Sequence, residues 1–232
     1  MIHAPLRSLI FIALLAMCAL VSGCGTQPVR KAATYTVKAG DTVYSIAWRN
    51  GVDYHDLARL NHIGRDFHIS IGQVLILPRD AEPVKAVKPA SVTTFKPAQP
   101  APQIQSSIRW QWPVAASNTT NSYAATTRPN GGKGLVINGI AGQDIRAAAS
   151  GKVVYAGTGL LGYGQLLIIK HDEAFLSAYG HTQSLFVREG DSVNAGQKIA
   201  TMGQGPDGKS QLYFEIRFNG TPLLPLSLLQ QR

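Results

Sequence analysis

Cysteine is almost absent from this 232-residue chain, with Cys18 and Cys24 as its two occurrences. Nothing after residue 24 can form a disulfide framework, a thiolate metal cage or a redox pair. Histidine is nearly as scarce: there are six, none between residues 111 and 170 and none after His181. Charged residues make up 15% of the chain, and its net charge of +9 is dispersed, with no block of six like charges and no basic helix face. Nucleic-acid binding needs a clustered cationic footprint, so that class is excluded. A mild attraction to an anionic polymer or a membrane surface is compatible with the excess. Sustained heptads are missing too, which excludes a coiled coil. What remains is 45% hydrophobic with 23 Gly and 13 Pro, enough for one medium or two small packed domains.

The chain opens with one cation, Arg7, then an apolar run over Ser8–Leu20 and the small residues Val21-Ser22-Gly23 before Cys24. A charged start, a short apolar stretch and small residues before a cut describe a secretory signal. The run falls short of the roughly 20 residues that span a bilayer as a helix, although a short anchor is the alternative reading. Val21-Ser22-Gly23-Cys24 resembles the lipobox of bacterial lipoproteins. The resemblance implies that residues 1–23 are removed and that Cys24 carries a covalent lipid, palmitate included, leaving 24–33 as a lipidated tether. Two or more acyl chains anchor firmly where one binds reversibly. Gly25, in place of an Asp, implies the outer membrane, facing the periplasm.

Residues 34–78 read as a small β-α-α-β unit. Thr34–Lys38 is β-branched and alternating, Asp41 stands where a helix cap would, and Val43, Ile46 and Ala47 share one face of a helix over Val43–Asn50 stopped by Gly51. Asp53 caps a second helix through Asn61, and Val74–Leu77 is a strand closed by Pro78. Tyr35-Thr36-Val37, Gly40-Asp41-Thr42, Ile46, Leu57, Asn61 and Ile71-Gly72-Gln73-x-Leu75-x-Leu77-Pro78 resemble a LysM domain. That resemblance implies a shallow groove for N-acetylglucosamine-containing peptidoglycan strands, lined by Gly40, Asp41, Thr42 and Tyr44 on one side and by Ser70 and Ile71 on the other. Asp41 as a helix cap and Ile71 as a core residue are the competing roles. His55, His62 and His68 lack metal-ligand spacing.

Residues 79–107 carry Pro83, Pro89, Pro97, Pro100 and Pro102 with Lys85, Lys88 and Lys96, and no helix or strand period survives. The composition predicts a disordered linker that reaches roughly 90 Å when fully extended in polyproline form, so the flanking modules are expected to act apart.

From residue 108 to 232 the pattern is of short strands with Gly-rich turns: Gly134–Asn138, Asp144–Ala148, Lys152–Ala156, Gln165–Lys170, Leu176–Tyr179, Lys198–Met202 and Leu212–Phe218, with a brief helix near Pro225–Gln230. This predicts an all-β domain. Trp110-Gln111-Trp112-Pro113, Lys133-Gly134-Leu135, Gly151–Gly157, Gly162-Tyr163-Gly164, Tyr179-Gly180-His181, Gly196–Ala200 and Phe214-Glu215-Ile216-Arg217 resemble the LytM domain of lysostaphin-type zinc peptidases. An active member holds zinc with a His, an Asp four residues on and the second His of a His-x-His, leaving one position for water. With Gly134 as anchor, those ligands fall on Gly132, Val136 and Tyr213; the catalytic His of His-x-His falls on Gln211, and only His181 keeps its identity. Glycine and valine offer no donor atom. The resemblance thus implies no catalytic residue, no zinc and no other cofactor besides the lipid. His181 reads as a hydrogen-bonded structural residue or a relic of catalysis, and Glu215 with Arg217 as a charge pair or a partner contact.

The whole chain is therefore expected to be multi-domain: a βααβ LysM module, a disordered Pro-rich linker and a degenerate LytM domain behind a lipobox. That order resembles the murein hydrolase activator lipoproteins of the NlpD type. It implies a non-catalytic protein that activates a periplasmic N-acetylmuramoyl-L-alanine amidase during cell division, with Gly132, Val136, His181, Gln211, Tyr213 and Glu215 in or beside the docking cleft. A structural tether between outer membrane and peptidoglycan, with the LytM domain as a second wall-binding module, is the alternative.

Overall fold

A computed structural model describes residues 33–78, 107–115, 123–127 and 132–229. The leader, Cys24, nearly all of the lipidated tether and of the linker lie outside the described residues. The described residues all fall within one compact unit.

The first module pairs β1 (Thr34–Thr36) antiparallel with β2 (Val74–Ile76), Tyr35 opposite Leu75, around α1 (Val43–Asn50) and α2 (Tyr54–Leu60). The cap of α1 is Thr42, not Asp41: the Thr42 hydroxyl accepts from the Ser45 amide at 3.1 Å, and the Ser45 hydroxyl accepts from the Thr42 amide at 3.0 Å. Asp41 sits one residue too early to reach those amides. It accepts instead from the Tyr35 hydroxyl at 2.7 Å and the Lys38 amide at 2.9 Å, and faces Arg49 at 3.3 Å. Gly51 ends α1 at φ 67°, where a side chain would be strained. Asp53 caps α2 by accepting from the His55 and Asp56 amides. Asn61 then fastens α2 to β2, donating to the Ile76 carbonyl at 2.7 Å and accepting from its amide at 2.6 Å. Loss of a capping hydroxyl typically costs about 1 kcal/mol. Thr42→Ala is therefore expected to lower stability by about that amount in urea titrations followed by circular dichroism.

In the second domain β3 (Tyr123–Thr127), β4 (Lys133–Asn138), β11 (Gln211–Phe218), β8 (Phe175–Leu185), β7 (Gln165–Lys170), β6 (Gly151–Gly157) and β9 (Ser192–Val193) follow one another across an antiparallel sheet. β10 (Lys198–Met202) pairs with β8 and with β5 (Asp144–Arg146), and β12 (Thr221–Leu223) pairs with β11. Leu212, Phe214 and Ile216 of β11 point into a core shared with Trp110, Leu135 and Tyr179. The alternate residues of β11, Gln211, Tyr213, Glu215 and Arg217, occupy the opposite face.

That opposite face is buried as well. Val154, Leu166, Ile168, Ala178 and Tyr213 belong to one buried cluster with Val43, Ile46, Trp48, Tyr54 and Leu57 of the first module. The expectation that the two modules stand apart is thus corrected: they share a core. Helix α1 offers an apolar side to the sheet, wider than a module of this size can bury internally. Polar contacts frame the seam. Thr42 Oγ1 donates to the Val154 carbonyl at 3.2 Å, Arg49 to the Gly159 carbonyl at 3.1 Å, Tyr54 to the Glu173 carbonyl at 3.0 Å, and Arg217 to the Trp48 carbonyl at 3.0 Å. His55 Nε2 lies 3.1 Å from a Glu173 carboxylate oxygen at the rim. The Asn219-Gly220 turn between β11 and β12 also presses on the module: a Cβ on Gly220, at φ 72°, would lie 2.6 Å from the Asp53 nitrogen.

Candidate functional site beneath the first module

The register of the sheet brings several of the residues expected in the cleft together. Tyr213 stands opposite Val136 on β4 and opposite Gly180 on β8, while Gln211 faces Asn138. The His181 ring follows, its centroid 6.5 Å from that of Tyr213. His181 is 6% exposed at φ 59°; its amide donates to the Tyr163 carbonyl at 2.7 Å, and its carbonyl accepts from Gly203 at 2.9 Å. Gly132 is buried and Val136 half-buried. The donor set does not fit zinc: Gly132 and Val136 bring no donor, and the Tyr213 phenol is committed elsewhere. Its ring lies over Gly134, where an added Cβ would come within 2.9 Å of the Tyr213 Cζ and hydroxyl oxygen. The Gln211 amide donates to Asp207 at 3.0 Å.

A polar ladder occupies the cleft floor, built from every second residue of β11. The Tyr213 hydroxyl donates to Glu215, and the other Glu215 oxygen accepts from Arg217 Nε at 2.6 Å. The Arg217 guanidinium then lies 3.8 Å from the centroid of the Trp48 ring in the first module, a cation–π contact. Tyr213, Glu215 and Arg217 are each at most 1% exposed. Glu215 and Arg217 are therefore a charge pair, one of the two roles open in the sequence. The seam is imperfectly satisfied, because Trp48 Nε1, Asp53 Oδ2 and Arg217 Nη2 have no hydrogen-bond partner among the described residues. Each such buried group costs about 1–3 kcal/mol relative to a satisfied one.

The residues expected to line a glycan groove divide between two environments. Asp41, Thr42 and Tyr44 line a cleft of about 490 Å³ whose other walls include Phe67, Lys152 and Glu189. Tyr44 is held by Tyr54 and Phe67, with ring centroids 4.6 and 5.5 Å away. Gly40 and Ser70 are exposed, and Ile71 is 73% exposed, which disposes of a core role for Ile71. Ser70 and Ile71 lie outside that cleft's lining. Sequence reasoning missed Trp48, Val154, Glu173 and Gly220 as seam residues. One signal was present: Trp48 follows Ile46 and Ala47 and widens the apolar arc of α1 beyond a single stripe.

The LysM domain model matches residues 35–78, and the model of peptidase family M23 matches residues 130–225. An outer membrane antigenic lipoprotein B of Histophilus somni is 35% identical over 82% of this chain and 65% of its own length. The uncharacterized lipoprotein YgeR of Escherichia coli is 37% identical over 96% of this chain and 93% of its own length. The murein hydrolase activator NlpD of the same organism is 36% identical over 86% of this chain and 68% of its own. This chain thus spans about two thirds of the length of two of these relatives. A LysM module ahead of an M23-type domain, aligned with these lipoproteins through both, places the chain in the family of LysM- and M23-domain lipoproteins to which the murein hydrolase activator NlpD belongs.

Proposed function

We propose that this chain is a non-catalytic, peptidoglycan-binding lipoprotein of the outer membrane, held by lipid on Cys24 and facing the periplasm. Its role in this reading is to activate a periplasmic N-acetylmuramoyl-L-alanine amidase that splits the septal wall during division. What supports it is that the positions which the family resemblance assigns to zinc ligands are held by Gly132, Val136 and Tyr213, with Tyr213 paired opposite Val136 in the sheet. A fold without its metal-binding groups keeps the shape of a surface and can use it only for binding. Activation is then a population shift: the LytM domain binds the amidase more tightly when the amidase's blocking helix is displaced, and this difference in affinity opens the enzyme. The LysM groove, with Gly40, Asp41, Thr42, Tyr44, Ser70 and Ile71, concentrates the protein on glycan strands.

The test is dye release from labelled peptidoglycan by residues 25–232, alone and mixed with a periplasmic amidase from the same cell. Release only in the mixture supports the activator. Release by the protein alone that a chelator abolishes overturns the non-catalytic reading. Silence in both arms, with the amidase shown to be activatable by other means, favours the tether between outer membrane and wall. Tyr213 and Glu215 are poor probes of docking because both are fully buried. Val136, half-buried on β4, is the better one, and Val136→Lys is expected to lower release at least tenfold while the circular dichroism spectrum is retained.

A further inference from the structure

The face of β11 that carries Tyr213, Glu215 and Arg217 is closed to any partner in this structure, because helix α1 lies on it. We propose that the LysM module is a displaceable cover: module and amidase compete for one surface, and only the open form activates. The inference rests on the activator reading above and adds a control step to it.

Three observations separate a cover from a permanent core. The seam encloses Trp48 Nε1, Asp53 Oδ2 and Arg217 Nη2 without partners among the described residues, groups that regain hydrogen bonds to water when the module lifts. Arg217 is held from the module side by one backbone carbonyl and one indole face, both of which a partner helix can supply equally well. The covering element is a helix of eight residues, α1, whose removal leaves the β4–β11–β8–β7–β6 ladder and the inner core around Phe214 intact. The cover is also tied to the glycan groove. Thr42, in the groove wall, donates to the Val154 carbonyl across the seam, and Arg49 bridges Asp41 to the Gly159 carbonyl. A glycan strand engaging the Gly40–Thr42 loop draws on the same groups, so wall binding and opening are thermodynamically linked.

The experiment uses residues 25–232, which contain no cysteine. His55→Cys with Glu173→Cys places two thiols at the rim, where the native side chains are 3.1 Å apart and solvent-accessible. A short bismaleimide with an internal disulfide bridges them and is cleaved by reductant. The bridged protein is expected to lose at least tenfold in amidase-dependent dye release and to recover it on reduction. A bridged protein that activates fully overturns the cover. A second variant, Gly220→Asn, works from the other side: its Cβ is driven against the Asp53 backbone, while Asn tolerates the positive φ better than other residues. It is expected to slow bridging at least fivefold and to raise activation severalfold. Equal bridging rates with and without Gly220→Asn also overturn the proposal. If the unbridged chain never activates the amidase, the activator reading fails by itself, and the cover is judged on the bridging rates.

Discussion

Glu215→Ala is expected to destabilise the folded unit by about 3–5 kcal/mol, the range measured when one member of a buried ion pair is removed. Glu215 is fully buried, and its two oxygens accept from Tyr213 and from Arg217 at 2.6 Å. Its removal leaves a guanidinium at 1% exposure with no carboxylate, and it takes away the acceptor of the Tyr213 hydroxyl in the same step. For a unit of this size about 1 kcal/mol corresponds to a shift of roughly 2–4 °C in melting temperature. Calorimetry should therefore show a fall on the order of 10 °C. The apolar double replacement Glu215→Leu with Arg217→Met is expected to fall much less, since it leaves no charge stranded. The same single variant reports on the cover. With the module lifted, Arg217 meets water and the penalty shrinks; Glu215→Ala in a Gly220→Asn background should thus cost clearly less than in the parent chain. A shift under 2 °C in the parent would mean that water already reaches Arg217 and that α1 does not seat as described.

The elements with strong local signals were legible in the sequence. Helix α1 and strands β7 and β10 have their expected bounds: the apolar face of α1 runs up to the Gly51 stop, and the two strands are compact runs rich in apolar residues. The strands the sequence hid have physical reasons for being hidden. β12 contains Pro222, which argues against a strand except at a sheet edge, where β12 pairs only with β11. β9 has two residues, and β3, Tyr-Ala-Ala-Thr-Thr, has almost no apolar alternation. β8, expected over Leu176–Tyr179, starts at Phe175 and runs on to Leu185 with a left-handed His181 inside it. The helix expected near Pro225–Gln230 is a single 3₁₀ turn at Pro225–Ser227. Trp110 and Trp112 of the LytM motif serve packing: Trp110 is 1% exposed, and the Trp112 ring lies 5.1 Å from that of Tyr123.

The site was legible by residue type but not by surroundings. That Val136 and Tyr213 would be neighbours followed from the family register. That the floor beside them would be a Tyr–Glu–Arg ladder roofed by Trp48 did not follow, because a contact between residues 48 and 217 leaves no periodicity in either segment. The linker's composition argued against it in addition. Proline content speaks for the chain between two modules and says nothing of whether their faces match.

The second large effect is on acid stability, and it resides in His171, a histidine with no part in the cleft. Its Nδ1 lies 2.8 Å from the Ser150 carbonyl and its Nε2 2.7 Å from the Ser177 hydroxyl, which is 3.0 Å from the Tyr179 hydroxyl; that hydroxyl in turn accepts from the Ala148 amide at 2.8 Å. Trp110 packs edge-on against the ring at 4.8 Å. This chain is satisfied by a neutral imidazole that donates from Nδ1 and accepts at Nε2. Burial, the main cause, pushes the His171 pKa down from 6.5 to about 4, against the opposing pull of the Ser150 carbonyl and Asp172. The unfolded chain takes up its proton near pH 6.5, while the folded chain resists until about pH 4. The stabilisation is therefore complete above pH 6.5 and is lost progressively as the pH falls toward 4. A depression of this size corresponds to a loss on the order of 3 kcal/mol across that window. Urea titrations at half-unit steps from pH 7.5 to 4 should trace it. His171→Gln is expected to be less stable at pH 7.5 and nearly flat between pH 6.5 and 4.5, since it has no proton to gain; a parent-like slope in that variant would assign the acid sensitivity to other groups. Glu173, held below the usual carboxylate range by Lys170 and then His55, loses its contribution as the pH falls below its ordinary value of 4.5, where most of the His171 window has already passed.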